Sequence, residues 1–103
     1  MRLLITGLKG FVGHHLQCQL QKRFPGSEIL PAIPDIRDAQ AVEKAIATEK
    51  PDHCVHLAAV STIGAARKSP DHAWDVNLHG TLNVARAMLR HVPPRPVLFA
   101  STA

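Results

Sequence analysis

The chain has 103 residues, of which 46% are hydrophobic and 19% are charged, and this balance is typical of one globular domain rather than of a disordered chain. No apolar run approaches the roughly 20 residues of a membrane span, and the apolar stretch near Met1 is too short for a signal-peptide core. Two cysteines are too few for a disulfide framework, which favours a reducing, cytoplasmic setting.

The net charge of +4, from 12 Lys and Arg against 8 Asp and Glu, makes nucleic acid the first partner to consider. The basic residues are spread along the chain, however, and their only adjacent pairs are Lys22-Arg23 and Arg67-Lys68. Aromatic residues make up 4% of the chain, so base stacking has few platforms. The pattern therefore predicts no nucleic-acid binding, and the positive balance equally suits a phosphate-bearing small molecule.

The chain begins with a strand pattern that is followed by a helix pattern. The short apolar run from Arg2 to Thr6 predicts a buried strand, and the residues from Gly7 to Gly13 predict a glycine-rich turn. A helix is predicted from Phe11 to Phe24, where Pro25-Gly26 ends it. Its apolar residues recur at every fourth position: Val12, Leu16, Leu20 and Phe24.

The same alternation continues through the middle of the chain. Residues Glu28 to Ile33 predict a second strand, which Pro31 confines to an edge or to the end of the strand. Asp38 is a suitable N-cap for a helix that ends at Glu49. The run from Cys54 to Val60 then predicts a third buried strand.

The last third of the chain predicts one long helix and a fourth strand. Ser69 and Pro70 supply the N-cap and first-turn proline of the helix, and later prolines end it before the strand from Val97 to Ala100. The predicted apolar stripe of this helix is Trp74, Leu78, Leu82, Ala85 and Leu89. The order of elements predicts an α/β fold with a parallel sheet, helices on both faces and ligands at the carboxyl ends of the strands.

The segment Thr6-Gly7-Leu8-Lys9-Gly10-Phe11-Val12-Gly13 lies between the first strand and the first helix, which is the context of a dinucleotide-binding turn. Gly7 permits the tight turn, Gly10 lets the backbone approach a pyrophosphate, and Gly13 lets the helix pack closely on the strand. The helix N-terminus offers free N–H groups to the phosphates. The alternative is a glycine-rich turn with no ligand.

The spacing Gly-x-x-Gly-x-x-Gly resembles the extended short-chain dehydrogenase/reductases, in particular the NAD-dependent epimerase/dehydratase family. Four further segments match in order: Asp35-Ile36-Arg37-Asp38, His56-Leu57-Ala58-Ala59, Asn77-Leu78-His79-Gly80-Thr81 and Phe99-Ala100-Ser101-Thr102. The glycine segment is most similar to that of enzymes acting on GDP-linked 4-keto-6-deoxy sugars. The resemblance implies a Rossmann-type sheet of about four strands, incomplete relative to the full family fold. Residues 1–103 would form an N-terminal dinucleotide-binding domain without the substrate domain.

The resemblance implies NAD or NADP as the cofactor and a nucleotide-diphosphate sugar as the substrate of full-length members. It places the cofactor at Gly7, Gly10, Phe11, Val12, Gly13, Asp35, Ile36, Leu57, Ala58, Ala59 and Asn77. Asp35 also stands where a ribose-binding carboxylate is expected, although a helix cap or surface carboxylate explains it too. No separate acidic residue follows Ile33, and Arg37 or Lys9 is suited to a 2′-phosphate, so the choice between NAD and NADP stays open.

Ordinary packing explains two of these assignments equally well. Small residues at Ala58 and Ala59 let a dinucleotide lie across the strand ends, but they also suit close packing of a strand against a helix. In the family, Asn77 supports the loops around the cofactor. In the alternative, Asn77 lies on the solvent face and Gly80 serves only close packing.

At the end of the fourth strand the resemblance assigns Thr102, with Ser101 beside it, as the hydroxyl that hydrogen-bonds the reacting sugar oxygen. The alternative is that both hydroxyls are solvated. The family's chemistry also needs a Tyr-x-x-x-Lys pair, and the chain has no tyrosine. We therefore expect a fragment that binds a dinucleotide, transforms no sugar alone, and self-associates through an unpaired sheet edge. A non-catalytic nucleotide-binding or redox-sensing module and a ligand-free structural fragment are the alternatives.

The 7 histidines do not have the spacing of a metal site. His53 and His56 are three apart in a strand and point to opposite faces. His72 and His79 are about two helical turns apart, roughly 10 Å, which is too far for one ion. The sequence therefore predicts no bound metal.

Overall fold

The computed structural model describes residues 1–59, 63–91 and 97–100 of the chain. Within these ranges the strands are β1 (Arg2–Thr6), β2 (Glu28–Ile29), β3 (His53–His56) and β4 (Val97–Phe99). They pair in parallel in the order β2-β1-β3-β4. The predicted parallel α/β sheet is therefore confirmed.

Five α-helices are present in the described ranges: α1 (Phe11–Arg23), α2 (Ala39–Glu49), α3 (Ile63–Lys68), α4 (Pro70–Trp74) and α5 (Thr81–His91). A π-helical segment, Asp75–Gly80, joins α4 to α5. None of the described helices combines the length and apolar character needed to cross a bilayer. The main core lies between the sheet and α2 and α5, and it consists of Leu4, Leu30, Ile36, Val42, Ile46, Cys54, Val84, Ala87 and Met88.

The chain changes direction across the sheet after β2. It runs from β1 outward to β2, and then crosses back to place β3 on the other side of β1. Right-handed crossovers put α1 on one face of the sheet and α2 on the other. The loops that follow β1 and β3 therefore diverge, which leaves a crevice at the carboxyl ends of these two strands.

Both helices of the first half begin where the sequence predicts. In α2, the Asp38 carboxylate oxygen Oδ1 accepts the Ala41 N–H at 3.1 Å, which confirms the predicted N-cap. Helix α1 begins at the predicted residue, but half of its predicted apolar stripe faces solvent. The side chains of Val12 and Phe24 are 59% and 57% exposed. Gly13 is the one fully buried residue of α1.

Strand β2 is shorter than predicted, since it ends at Ile29 rather than Ile33. The Leu30 N–H still donates to the Leu3 carbonyl at 2.8 Å. Pro31 follows and has no N–H, so the ladder cannot continue. The residues up to Ile33 therefore form a loop beside the crevice instead of a strand.

Strand β3 begins one residue earlier than predicted, at His53, and ends at His56. The N–H groups of Leu57 and Ala58 each lie 3.1 Å from the hydroxyl oxygen of Thr6 on β1 and donate to it. The Leu57 N–H also donates to the backbone carbonyl of Thr6 at 3.1 Å, whereas the Ala58 N–H donates to the Thr6 side chain, so the regular pairing with β1 stops at Ala58. Val60, the predicted last residue of the strand, lies outside the described residues.

The predicted long helix is present without a gap from Pro70 to His91, but a π-helical segment interrupts its period and its predicted buried face is wrong. Four of its five predicted core positions are exposed: Trp74, Leu78, Leu82 and Leu89. The buried residues are instead Ala73, Gly80, Val84, Ala87 and Met88. The π-helical segment has more residues per turn than an α-helix and therefore rotates α5 relative to a 3.6-residue pattern. Helix α3 was not predicted, and its six residues carry too little pattern to show it.

Replacing two adjacent residues of α5 tests this corrected face. Met88 is 4% exposed and Leu89 is 85% exposed. We expect Met88→Ala to lower the free energy of unfolding by about 2–5 kcal/mol, because it leaves a cavity in the core. We expect Leu89→Ala to change it by less than about 0.5 kcal/mol. Urea denaturation of both variants is the measurement. A larger loss of stability for Leu89→Ala than for Met88→Ala would contradict the observed buried face and support the one predicted from the sequence.

Candidate functional site

The turn between β1 and α1 requires glycine at two positions. Gly7 has φ +75°, in the left-handed region, and a Cβ there would lie 2.8 Å from the backbone nitrogen of Ala58. A Cβ on Gly13 would overlap the carbonyl oxygen of Gly7 and lie 2.7 Å from the Cα of Leu8. The first helix thus packs directly onto the backbone of the turn, and the turn packs directly onto the end of β3.

The amino end of α1 carries uncompensated N–H groups. Its N-cap is Gly10, which has no side chain to accept a hydrogen bond, and no acidic residue lies in the first turn. The Gly10 N–H donates to the Gly7 carbonyl at 3.0 Å and closes the turn. The free N–H groups and the helix dipole make this end attractive to an anion.

A cleft of about 330 Å³ opens beside this turn at the carboxyl ends of β1, β2 and β3. Its lining residues are Thr6, Gly7, Leu8, Lys9, Ala32, Ile33, Pro34, Ile36, Ala58 and Val76. Most of these side chains are apolar, and Lys9 carries the only charge among them. The cleft therefore combines an apolar wall with one cation and a helix N-terminus.

The wall opposite the glycine turn is held from α5 and from the π-helical segment. The Asn83 amide nitrogen donates to the carbonyl of Ile36 at 2.9 Å and to that of Arg37 at 3.2 Å. Gly80 leaves room for Ile36, since a Cβ on it would lie 2.6 Å from the Ile36 Cδ1 atom. Sequence reasoning missed Asn83, although a polar residue within a helix whose neighbours are apolar is a recognisable signal.

Asp35 lies beside the cleft but its carboxylate is engaged by Arg37. Oδ1 accepts from the Arg37 backbone N–H and from Nε, both at 3.0 Å, and Oδ2 accepts from Nη2 at 2.8 Å. The hydrogen bonds from the Arg37 side chain lower the pKa of Asp35 to about 2. The structure thus pairs the predicted ribose carboxylate with the predicted 2′-phosphate partner.

The structure places the other predicted cofactor residues differently from one another. Gly7, Ile36 and Ala58 line the cleft, whereas Phe11 and Val12, in the first turn of α1, and Ala59 have exposed side chains. Leu57 is half-buried, and its backbone N–H donates to the Thr6 hydroxyl oxygen at the end of β1.

Asn77 lines a separate groove of about 260 Å³ beside Trp74, and its carbonyl accepts the Thr81 hydroxyl at 2.8 Å. The predicted catalytic pair, Ser101 and Thr102, lies outside the described residues. Within the described part of the chain, no three His, Cys, Asp or Glu side chains come together as a metal site.

Known proteins are similar to this chain in sequence and in fold. The sequence profile of the NAD dependent epimerase/dehydratase family matches residues 3–103. GDP-6-deoxy-D-mannose reductase from Pseudomonas aeruginosa is 36% identical over 89 residues, which are 84% of this chain and 29% of that protein.

Two solved structures show the same architecture. The UDP-glucose 4-epimerase of Thermus thermophilus in complex with NAD has a TM-score of 0.78 and 30% identity, over 88% of this chain and 34% of that one. RMD from Pseudomonas aeruginosa in complex with NADPH has a TM-score of 0.79 and 33% identity, over 95% of this chain and 33% of that one. The chain spans about a third of the length of these relatives. The Rossmann-type fold is thus confirmed, and the chain belongs to the NAD dependent epimerase/dehydratase family.

Proposed function

We propose that the chain binds NAD or NADP in the cleft at the carboxyl ends of β1 to β3. The observation that carries this proposal is the amino end of α1, where free N–H groups adjoin a glycine turn and open beside the cleft. The pyrophosphate lies against Gly10 and the first turn of α1, because backbone N–H groups and the helix dipole stabilise its charge there.

The residues of the cleft fit such a cofactor. A volume of about 330 Å³ falls within the range of about 300–1,000 Å³ of small-molecule sites. The apolar side chains of Ile33, Pro34 and Ile36 supply a surface for the adenine ring, and Ala58 leaves space over the end of β3. When bound, the nicotinamide of the cofactor accepts or donates a hydride.

We also propose that the cleft favours NADP over NAD. A carboxylate that binds the ribose hydroxyls selects NAD, and no carboxylate lines this cleft among the described residues. Asp35 is committed to Arg37 through both of its oxygens. Lys9 forms no ion pair in the described ranges and is positioned to attract a 2′-phosphate.

The reaction class follows from the relatives and is a proposal for this chain. We infer that the chain is the dinucleotide-binding part of an oxidoreductase or epimerase acting on a nucleotide-diphosphate sugar. Its similarity to GDP-6-deoxy-D-mannose reductase supports this class. Thr102 and Ser101 stay the proposed hydroxyl donors to the sugar oxygen. A chain without tyrosine has no phenol to act as the family's acid or base, so we propose that these 103 residues alone are inactive.

The redox-sensing alternative is less well supported by the cysteines. Cys54 is 1% exposed, and burial raises the pKa of its thiol to about 12. The reactive form of cysteine is the thiolate, so this thiol is inert near neutral pH. Cys18 is only partly exposed. The nucleotide cleft is therefore the better-supported site.

Gly10→Ala tests where the pyrophosphate binds. A Cβ on Gly10 meets only the Gly7 carbonyl oxygen, at 3.3 Å, so we expect the fold to accommodate it with a small shift of that carbonyl, which thermal denaturation without ligand checks. The methyl group would keep the pyrophosphate from the backbone, and we expect the affinity for NADP to fall about tenfold or more. Isothermal titration calorimetry measures this, and thermal shift at ligand concentrations of about 100 Kd should show a stabilisation of about 2.7 kcal/mol for the wild type.

Gly26→Ala is the matched control for this variant, since a Cβ there has no neighbour within 4 Å. We expect it to bind NADP as the wild type does. Equal affinity of Gly10→Ala and Gly26→Ala would exclude the amino end of α1 as the phosphate site.

Lys9→Gln tests the proposed cofactor preference. We expect the wild type to bind NADP more tightly than NAD, and the variant to lose about five- to tenfold in NADP affinity, because a charge-assisted contact to the 2′-phosphate disappears. The affinity for NAD should change less than about twofold. Lys22→Gln removes the same charge at the other end of α1 and serves as the control. Parallel losses for NAD and NADP would contradict the assignment of Lys9 to the 2′-phosphate.

The proposed inactivity of the isolated chain is tested with a nucleotide-linked 4-keto sugar and NADPH. We expect no decrease of absorbance at the nicotinamide band above the enzyme-free rate. Turnover that scales with the concentration of the purified chain would contradict the need for tyrosine.

A further inference from the structure

A chain of hydrogen bonds from Thr6 through His56 to Thr81 runs beneath the cleft, and its buried histidine is one that no cofactor assignment uses. His56 is 4% exposed and Thr6 is 3% exposed. The His56 Nδ1 atom lies 2.7 Å from the Thr6 hydroxyl oxygen, and its Nε2 atom lies 2.9 Å from the Thr81 hydroxyl oxygen. The imidazole thus joins the end of β1 to the start of α5.

The direction of each hydrogen bond follows from the groups at the two ends. The Thr81 hydroxyl donates its proton to the Asn77 carbonyl at 2.8 Å, so its oxygen can only accept from His56. Nε2 of His56 must therefore carry the proton, and in a neutral ring Nδ1 is then an acceptor. The Thr6 hydroxyl donates to Nδ1, and its oxygen accepts the N–H groups of Leu57 and Ala58.

We propose that His56, as the neutral Nε2–H tautomer, is a positioning residue that holds the floor of the cleft for the dinucleotide, a role that rests on the proposed cofactor binding. His56 itself does not line the cleft, whereas Thr6 and Ala58 do. By accepting the Thr6 proton, His56 turns the Thr6 oxygen toward the N–H groups that end β3. Its Nε2–H group donates to the Thr81 hydroxyl oxygen, and the Thr81 hydroxyl in turn donates to the Asn77 carbonyl in the π-helical segment.

The surroundings of His56 keep the ring neutral. Burial lowers its pKa below the ordinary value of 6.5. Cys54 lies on the same face of β3 as His56 and stays protonated. The Phe99 ring of β4 packs edge-on against the imidazole, with 5.6 Å between the ring centroids. Among the titratable groups of the helical segments next to Thr81 are the Asp75–His79 pair of the π-helical segment and Arg86 of α5, and their side chains are exposed.

Protonation would break this arrangement. A proton on Nδ1 would face the Thr6 hydroxyl, whose own proton would then lose its acceptor. Since the folded state favours the neutral ring, the stability that His56 contributes is complete above pH 6.5 and is lost as the pH falls through its lowered pKa. Dinucleotide affinity should fall over the same range, because the strand end and the cleft floor share these bonds.

The tautomer is measured on the wild-type chain without cofactor. A long-range ¹H–¹⁵N correlation spectrum of the imidazole nitrogens at pH 7.5 should show His56 protonated at Nε2 and unprotonated at Nδ1. Protonation at Nδ1, or at both nitrogens, would overturn the proposal, and this readout depends on no variant and no ligand.

Isosteric variants then separate the two ring nitrogens. Asn places an acceptor near the Nδ1 position, so His56→Asn should keep NADP affinity within about threefold. Gln places a donor near Nε2 but leaves the Thr6 proton without an acceptor, so His56→Gln should lose about tenfold. His53→Gln, on the same strand and the opposite face, is the control and should change affinity less than twofold. Circular dichroism checks that each variant is folded.

The pH profile supplies a readout that packing alone would not move. Between pH 7.5 and 5, the affinity for NAD, which lacks the titratable 2′-phosphate of NADP, should decline more steeply for the wild type than for His56→Asn. The asparagine at position 56 cannot be protonated in this range. Equal profiles, or equal affinities of His56→Asn and His56→Gln, would overturn the positioning role. A wild type that binds neither dinucleotide while showing the expected tautomer would instead overturn the proposed function.

Discussion

The close approach of the end of β1 to the end of β3 is the constraint on which the site depends. Gly7 comes so near to Ala58 that a Cβ would lie 2.8 Å from the Ala58 nitrogen, and the Thr6 hydroxyl accepts two N–H groups from the chain leaving β3. These contacts lie at the end of β3, beside the crevice at the point where the strand order reverses. The turn that carries the amino end of α1 is thereby packed against the end of β3.

The rest of the cleft is built on the opposite face of the sheet. Asn83 of α5 and Gly80 of the π-helical segment hold the loop that contains Ile36, so this part of the apolar wall is positioned from the helices. Gly80, the last residue of the π-helical segment, meets Ile36, and the large apolar residues Leu82 and Leu89 of α5 turn outward. π-Helical turns are often found at functional sites, and here one also supplies the carbonyl on which the Thr81 hydroxyl is fixed. The apolar wall at Ile36 and the floor of the cleft at Thr6 and His56 are thus both held by the helical segments from Asn77 to Asn83.

The features that the sequence predicted correctly are those that depend on neighbouring residues in the chain. The glycine turn, the start of α1 and the Asp38 cap depend on residues close in sequence, and all three lie where expected. The end of β3 could not be predicted, because its acceptor is Thr6, far away in the chain. The buried face of α5 was missed because a 3.6-residue pattern cannot anticipate a π-helical segment. The pairing of Asp35 with Arg37 required geometry, since both residues also suited the cofactor on spacing alone.

The central claim is that a dinucleotide lies with its phosphates against the amino end of α1. The most direct test is a titration of the ¹⁵N-labelled chain with NADP, followed by the backbone amide signals. The account predicts the largest shifts at Phe11, Val12 and Gly13, with smaller ones at Ile36 and Ala58 on the walls of the cleft. Saturable shifts confined to the groove beside Trp74, or no shift at these amides at millimolar NADP, would contradict it.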